Sequence, residues 1–239
     1  MNHAETVQAA KAAWDRKPQD FYATPVDVTQ VLCERMALDR QPLPLLIREP
    51  CCGEGHISEV LRHYGHTVDS SDIRHTGYGS GGVDYLASRD HSHTYPYDAV
   101  ITNPPFSDAE AFIRRALEDA PLVAMLLPSG FWHARGRSRL FESRPPQAIL
   151  ALTWRPAFLE AERGKSPLMN CIWTVWADLD NGRAEGCCTY HTIDRPAFPC
   201  PVQPAEIEAA GGVQIGRTGL LGPLQKVLDR LAGVKARHD

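Results

Sequence analysis

Four consecutive residues, Asn103-Pro104-Pro105-Phe106, have the side chains needed for chemistry on an amino group, and they directly follow the apolar run DAVIT. The two prolines fix the backbone and offer no N–H donors. The Asn103 side-chain carbonyl and the Pro104 backbone carbonyl can therefore both accept hydrogen bonds from one NH₂ group. This pairing draws the nitrogen away from planarity and frees its lone pair for attack. Phe106 offers a ring face for a planar base.

A strand-ending turn is the alternative interpretation of this segment, because Asn-Pro often makes one. Such a turn does not require an aromatic residue after the second proline. We therefore favour a catalytic role for Asn103, Pro104, Pro105 and Phe106.

A glycine-containing turn earlier in the chain has the composition of a ligand-binding loop. The apolar run 43–49 predicts a buried strand, and Pro50-Cys51-Cys52-Gly53-Glu54-Gly55 separates it from a predicted helix over residues 56–65. Glycines allow a ligand to approach the backbone closely, and a helix N-terminus adds positive partial charge. A GxG turn alone is weak evidence, and an ordinary strand-to-helix turn is the alternative. The preceding acid, Glu49, suits a ligand that carries an ammonium and a carboxylate.

Two further acids are candidates for ligand contacts. Asp72 ends a predicted strand over residues 66–72, where a carboxylate can accept both hydrogen bonds of a ribose diol. A helix cap or a solvated turn is the alternative, but the position of Asp72 after the GxG turn favours binding. Asp84 is predicted to end a third strand, within reach of an adenine amino group.

Strand and helix patterns alternate around these motifs. Apolar residues at helical spacing predict a helix over residues 26–38, with Pro25 at its start. Residues 107–120 predict a second helix with Ser107 or Asp108 as N-cap. The alternation predicts an α/β fold with a doubly wound, mostly parallel sheet and an antiparallel pair at one edge. Further strands are predicted for PLVAMLLP and for residues 97–106, 146–154 and 170–179; a Gly-rich loop is predicted for 77–82 and a last helix for 224–234.

Composition limits the classes that remain. The chain has 239 residues, 43% hydrophobic content and a net charge of −4, so bulk charge does not indicate a nucleic-acid partner. The first residues lack the pattern of a signal peptide, and no apolar run has transmembrane length. We expect a cytoplasmic protein with reduced cysteines. No metal site is predicted, because neither adjacent cysteine pair has CxxC spacing.

Together these segments resemble the amino methyltransferases of the class I S-adenosylmethionine-dependent fold, over residues 18–180. The segment 20–25 resembles the motif before the first helix, which helps to hold the methionine moiety. Residues 49–55 resemble the (D/E)PxxGxG cofactor loop, and 103–106 form an intact (N/D/S)PP(F/Y/W) motif. The resemblance implies that S-adenosylmethionine is contacted by Phe21, Tyr22, Thr24, Glu49, Pro50, Cys51, Gly53, Gly55, Asp72, Asp84 and Asn103.

The motif order resembles that of gamma-type DNA N6-adenine methyltransferases, especially small phage- or prophage-type enzymes. It implies a Rossmann-like methyltransferase fold, α/β and doubly wound, with a mostly parallel seven-stranded sheet and an antiparallel edge strand. We expect a methyltransferase domain over residues 1–180 and a C-terminal extension over 181–239, with no separate recognition domain evident. This departs from restriction-type relatives, which usually carry a large target-recognition domain, and makes a restriction partnership doubtful.

Side chains beyond the catalytic motif are candidates for contacts with a nucleic acid. Basic residues follow predicted strands whose carboxyl ends border the crevice in which open α/β sheets bind ligands, and phosphate contacts supply most non-specific affinity. A solvated charged surface with two core aromatics is the alternative. The candidates for substrate binding, besides Phe106, are Trp132, Arg135, Arg137, Arg139, Phe158 and Lys165.

The expected reaction is direct in-line transfer of a methyl group to adenine N6 in DNA, after the base leaves the helical stack. RNA adenine, cytosine N4 in DNA and a protein glutamine amide stay open, because the same motif serves all of them. A non-catalytic nucleic-acid-binding protein that retains the fold is a further alternative. A nicotinamide oxidoreductase is disfavoured, since the turn is GxG rather than GxGxxG and Asn103 to Phe106 would have no role.

Overall fold

The computed structural model describes residues 23–38, 45–87, 96–158, 169–177, 188–198, 200 and 202. Within these residues the α-helices are α1 (Val26–Leu38), α2 (His56–His63), α3 (Ala109–Asp119) and α4 (Ser138–Ser143). The strands are β1 (Leu46–Glu49), β2 (Thr67–Asp72), β3 (Ser80–Gly81), β4 (Ala99–Thr102), β5 (Leu122–Pro128), β6 (Ala148–Leu152), β7 (Cys171–Ala177) and β8 (Thr189–Ile193). Short 3₁₀ turns, Ser129–His133 and Arg135–Arg137, lead from β5 into α4. Residues 224–234, predicted to be helical, lie outside the described part.

The strands form one eight-stranded sheet in the order β3-β2-β1-β4-β5-β7-β6-β8. Every pairing is parallel except those of β7, which is antiparallel to both β5 and β6. The mostly parallel α/β fold is therefore confirmed. The antiparallel pair expected of the two late strands is also confirmed, as β6 and β7. Two details differ: the described residues form eight strands rather than seven, and the antiparallel strand β7 lies inside the sheet rather than at its edge.

Burial explains the internal position of β7. Its centre, Trp173 and Thr174, is fully buried, and an apolar strand of this kind needs neighbours on both edges and cover on both faces. The strand at the nearer edge of the sheet is β8, whose residues alternate between exposed and half-buried. Weak hydrophobicity also explains why the sequence patterns did not reveal β8.

Helices cover both faces of the sheet. On one face α1 and α2 pack through Val28, Leu32 and Leu61 against residues of β1, β4 and β7. On the other face α3 and α4 contribute Ile113 and Leu140 to a second core. This two-sided cover is what a doubly wound sheet requires. None of the helices in the described ranges combines the length and apolar content that crossing a bilayer demands.

The strand order reverses direction between β1 and β4, because β1 continues to β2 on one side while β4 continues to β5 on the other. In open α/β sheets, ligands bind outside the carboxyl ends of the strands at such a switch point. Glu49 and Thr102 are the last residues of these two strands. The GxG turn and the Asn-Pro-Pro-Phe segment therefore leave the sheet side by side.

Candidate active site

The GxG turn is a tightly bonded loop between β1 and α2. Gly53 and Gly55 both have left-handed backbone conformations, with φ of 53° and 93°, which residues with a Cβ rarely adopt. The Gly55 N–H donates to the Cys52 carbonyl at 2.8 Å, and the Cys52 N–H donates to the Ser71 carbonyl of β2 at 2.9 Å. Pro50, the first residue of the turn, is buried. The turn is therefore held in a defined conformation, continuous with β1 and hydrogen-bonded to β2.

Two cysteines in this turn could be taken for nucleophiles. Burial raises the pKa of the Cys51 and Cys52 thiols well above the ordinary value. Both thiols therefore stay protonated at neutral pH, and protonated thiols are poor nucleophiles.

Glu49 lies under the loop with only 1% of its surface exposed. Its carboxylate accepts a hydrogen bond from the Ser58 hydroxyl, which lies 2.7 Å from the Ser70 hydroxyl. Burial raises the pKa of Glu49 to about 8, although the Ser58 hydrogen bond and the charge of Arg62 act in the opposite direction. The Glu49 carboxyl group is therefore buried, and its pKa lies close to neutral pH.

Asp72, the last residue of β2, is also buried, and its carboxylate already has protein partners. One oxygen accepts the Gly53 N–H at 2.8 Å. The other accepts the Arg74 N–H at 2.9 Å and forms an ion pair with the Arg74 guanidinium at 3.1 Å. A diol that binds here must exchange with the Arg74 side chain, whereas the bond to Gly53 fixes the carboxylate against the turn.

Ile73, directly after Asp72, is a candidate that the sequence analysis missed. It is 55% exposed, although isoleucine is usually buried. It lies just beyond the carboxyl end of β2, beside the GxG turn, where an apolar side chain can cover one face of a planar ligand. Its position after a strand-ending acid was the available signal.

The Gly-rich loop changes the interpretation of Gly55. A side chain at residue 55 would collide with the ring of Tyr78, and the Tyr78 hydroxyl donates to Glu59 of α2 at 2.5 Å. The Thr76 hydroxyl donates to the Gly53 carbonyl at 2.5 Å. The close approach that Gly55 permits is therefore made by Tyr78 in this structure, and the segment between β2 and β3 braces the turn.

Asp84 does not have its predicted position. The third strand ends at Gly81, and the exposed Asp84 carboxylate accepts hydrogen bonds from the Leu86 and Ala87 N–H groups at 2.9 and 3.2 Å. Asp84 therefore does not end a strand, and one oxygen of its carboxylate caps a turn of its own backbone. Its contact with an adenine amino group stays a prediction.

Asn103 follows β4 and is the most informative residue of the site. Its side-chain Nδ2 donates to the Thr24 hydroxyl at 3.1 Å. Its Oδ1 is buried and has no hydrogen-bond partner among the described residues. Buried polar atoms normally have partners, so this oxygen is an acceptor ready for an external donor.

The residues after Asn103 form a short turn into α3. Pro104 is buried, and the Pro105 carbonyl accepts the Asp108 N–H at 3.1 Å. Phe106 is half-buried at the same edge. The structure therefore brings Thr24, the GxG turn and residues 103–106 to one edge of the sheet. Phe21 and Tyr22 lie outside the described residues.

The predicted substrate contacts beyond Phe106 divide into residues that pack within the protein, exposed residues, and one residue outside the described ranges. Phe158 is 6% exposed and belongs to the core beside α1, and Trp132 stacks on Phe141 with ring centroids 3.6 Å apart. Arg137 donates to the Phe131 carbonyl at 2.9 Å and lies 3.9 Å from the centre of its ring.

The role of Phe158 is corrected, because its side chain is buried in the core. Trp132 and Arg137 pack within the protein but are half-buried, and their substrate contacts stay predictions. Arg135 and Arg139 are exposed and stay candidates. Lys165 lies outside the described residues.

No protein-family model and no curated protein matches the sequence. The structure resembles a type I restriction-modification methyltransferase subunit from Streptococcus thermophilus, with a TM-score of 0.58, 14% identity, and coverage of 86% of this chain and 55% of that chain. It also resembles a Listeria monocytogenes protein assigned as a class I S-adenosylmethionine-dependent methyltransferase (TM-score 0.55, 12% identity, 85% and 77% coverage). A Pyrococcus horikoshii protein assigned as an RNA methyltransferase has a TM-score of 0.50 at 15% identity, with 77% and 100% coverage.

At these identities the similarity establishes the fold, which is that of class I methyltransferases. The chain spans about half the length of the Streptococcus restriction-modification subunit.

Proposed function

We propose that this protein uses S-adenosylmethionine to methylate an exocyclic amino group, and that its substrate is adenine N6 in DNA. The observation that carries the proposal is the buried Oδ1 of Asn103, which has no hydrogen-bond partner in the described part of the chain and lies beside two prolines at the end of β4. An acceptor of this kind fits an NH₂ donor. The fold, which is that of class I methyltransferases, supports the transfer chemistry.

The residues at the neighbouring strand end fit the cofactor. Within the turn, the N–H groups of Cys52, Gly53 and Gly55 already donate to acceptors in the protein. A carboxylate is therefore offered the first N–H groups and the positive partial charge at the N-terminus of α2. Asp72 offers a carboxylate to a ribose diol once Arg74 exchanges, and the exposed Ile73 offers an apolar surface to a purine ring. The bound group supplies an electrophilic methyl on a sulfonium sulfur.

The protein residues act mainly by positioning the amino group. Asn103 Oδ1 and the Pro104 carbonyl oxygen accept its two hydrogens, which directs the nitrogen lone pair outward. The Phe106 ring holds the base plane. The nitrogen loses its proton during or after attack, so no strong base is required. Such catalysis relies on orientation and exclusion of water.

DNA is the favoured substrate because a restriction-modification methyltransferase subunit shares the fold. The exposed Arg135 and Arg139, in the segment that leaves β5 at the catalytic edge, can contact phosphates. Adenine in a duplex must leave the stack to reach Asn103, at a cost of a few kcal/mol. RNA adenine is the second candidate, favoured by the similarity to the Pyrococcus protein assigned as an RNA methyltransferase.

The test is transfer of a labelled methyl group. The protein is incubated with methyl-labelled S-adenosylmethionine and unmethylated DNA or RNA, and the nucleosides are then identified after digestion. Labelled N6-methyladenine from DNA is expected. Asn103→Ala should lower the rate at least about a hundredfold, by analogy with removing one polar group that stabilises a transition state. Asn170→Ala, which removes a surface amide that accepts a hydrogen bond from Arg155, should not change it.

Other outcomes discriminate between the candidates. Label found in RNA or in cytosine would keep the mechanism and replace the substrate. Cofactor binding without label in any nucleic acid would refute the nucleic-acid proposal and direct the search to glutamine amides or to a binding role.

A further inference from the structure

We propose that Thr24 is a positioning residue that orients the Asn103 amide for catalysis; this inference rests on the function proposed above. The Thr24 hydroxyl is 3.1 Å from Asn103 Nδ2, although the two residues are 79 positions apart in sequence. Thr24 is only 4% exposed. The sequence resemblance assigned this threonine to the cofactor, whereas the observed hydrogen bond places its hydroxyl on the amide.

The orientation of an asparagine amide determines what it can bind. One end is an acceptor oxygen and the other a donor NH₂ group. With Nδ2 bonded to Thr24, Oδ1 is the end that stays available, and Oδ1 is the atom without a partner among the described residues. Rotation of the amide by half a turn would present NH₂ to an amino substrate, and two donors would then face each other. The Thr24 hydroxyl can also donate, so the hydrogen bond fixes the position of the amide plane, and the observed arrangement with Nδ2 on Thr24 is the one that can accept the substrate's hydrogens.

Thr24 itself is held in place by the helix that follows it. The Val28 N–H donates to the Pro25 carbonyl at 3.1 Å, at the start of α1 and next to Thr24 in the chain. The indole N–H of Trp173 on β7 donates to the Val28 carbonyl at 2.8 Å, with both side chains fully buried. The first turn of α1 is thereby tied to the centre of the sheet, and Thr24 has a fixed position relative to β4.

A second anchor acts further along α1. The Gln30 side chain accepts the Cys200 N–H at 2.6 Å and donates to the Phe198 carbonyl at 2.8 Å. The chain after β8 is thus fastened to the helix that positions Thr24. Through these two hydrogen bonds, the segment after β8 helps to hold α1 in place.

Three variants isolate the Thr24 hydroxyl. Thr24→Val keeps the shape and removes the hydrogen bond, Thr24→Ser keeps the hydroxyl, and Thr24→Ala removes the hydroxyl without the β-branch. Thr29→Val is the matched control, because Thr29 is fully buried on α1 and its hydroxyl has no partner among the described residues. Unfolding temperatures establish that each variant is folded, and Thr24→Ala replaces Thr24→Val if the valine variant does not fold.

The expected result separates positioning from cofactor binding. Thr24→Val should lower kcat about tenfold, the value of one well-placed hydrogen bond, while the dissociation constant for S-adenosylmethionine measured by calorimetry stays unchanged. Thr24→Ser should restore most of kcat, and Thr29→Val should resemble the wild type. An unchanged kcat in Thr24→Val, or a weaker cofactor affinity at unchanged kcat, would overturn the inference.

A measurement without turnover separates this inference from the proposed function. The side-chain amide resonances of Asn103, assigned with Asn103→Ala, should shift and their hydrogens exchange faster in Thr24→Val but not in Thr29→Val. If the wild type methylates none of the nucleic acids tested, the substrate proposal fails, and these resonances still decide whether Thr24 holds the amide. Identical resonances in Thr24→Val and the wild type would overturn the positioning role.

Discussion

The hydrogen bond from Trp173 to α1 leads to a prediction that links the free energy of unfolding to catalysis. Trp173→Phe removes the indole N–H that donates to the Val28 carbonyl at 2.8 Å. Loss of the hydrogen bond costs about 1 kcal/mol. The smaller ring leaves about 40 Å³ of unfilled volume, worth about 1 kcal/mol at roughly 24 cal/mol per Å³. The free energy of unfolding should fall by about 2 kcal/mol, which lowers the unfolding temperature by about 4–8 °C.

Trp176→Phe is the matched control on the same strand. Trp176 is also buried, and its indole N–H donates to the Arg144 carbonyl at 2.9 Å. It packs in the core on the α3 side of the sheet, so the loss of stability should be similar. Trp173 packs on the other face, beneath α1 and therefore beneath Thr24.

The assay combines thermal unfolding with turnover of the substrate found by the labelling experiment. Both variants should lose similar stability, but only Trp173→Phe should also lower kcat, by about tenfold, because a displaced α1 moves Thr24 away from the Asn103 amide. Equal kcat losses in the two variants would refute the proposed path from β7 through α1 to the site. So would a Trp173→Phe protein as stable as the wild type.

Two further predictions concern protonation and surface charge. Burial raises the pKa of Glu49 to about 8, from about 4.3 in an unfolded chain, so the folded state binds the proton more tightly. The stabilisation that this proton gives is complete below about pH 4.3 and is lost as the pH rises to about 8. The unfolding temperature should thus fall more steeply over this range in the wild type than in Glu49→Gln, and parallel curves would contradict the raised pKa. Arg135→Ala with Arg139→Ala should weaken DNA binding and reduce the log–log salt slope by about 2. Arg137→Ala should instead lower the unfolding temperature, since the Arg137 guanidinium packs on Phe131. An unchanged salt slope in the double variant would show that Arg135 and Arg139 do not contact DNA.

Local patterns predicted much of the framework. The helix expected over residues 26–38 coincides with α1, and the strand expected over 66–72 agrees within one residue with β2. These elements depend on apolar spacing, on Pro25 and on a turn that requires left-handed glycines, all of which are short-range properties. The structure adds that the GxG turn and Asn103 are adjacent, since β1 and β4 are neighbouring parallel strands and end at the same edge.

Side-chain roles were predicted less well, because a residue type does not reveal its partners. Phe158 and Arg137 have the composition expected of a nucleic-acid surface, yet one is buried in the core and the other is bonded to Phe131. Asp72 has the expected place, but only the structure shows that Arg74 and Gly53 share its carboxylate.

The sequence by itself determined the candidates for chemistry: Asn103 with its prolines, and a glycine turn after an acid. Their identity and short-range spacing are sufficient for that conclusion. Only the tertiary structure decided that β7 inserts between β5 and β6, and that Thr24 meets the Asn103 amide across 79 residues. Both depend on how apolar surfaces far apart in the chain are buried together, which no local pattern contains.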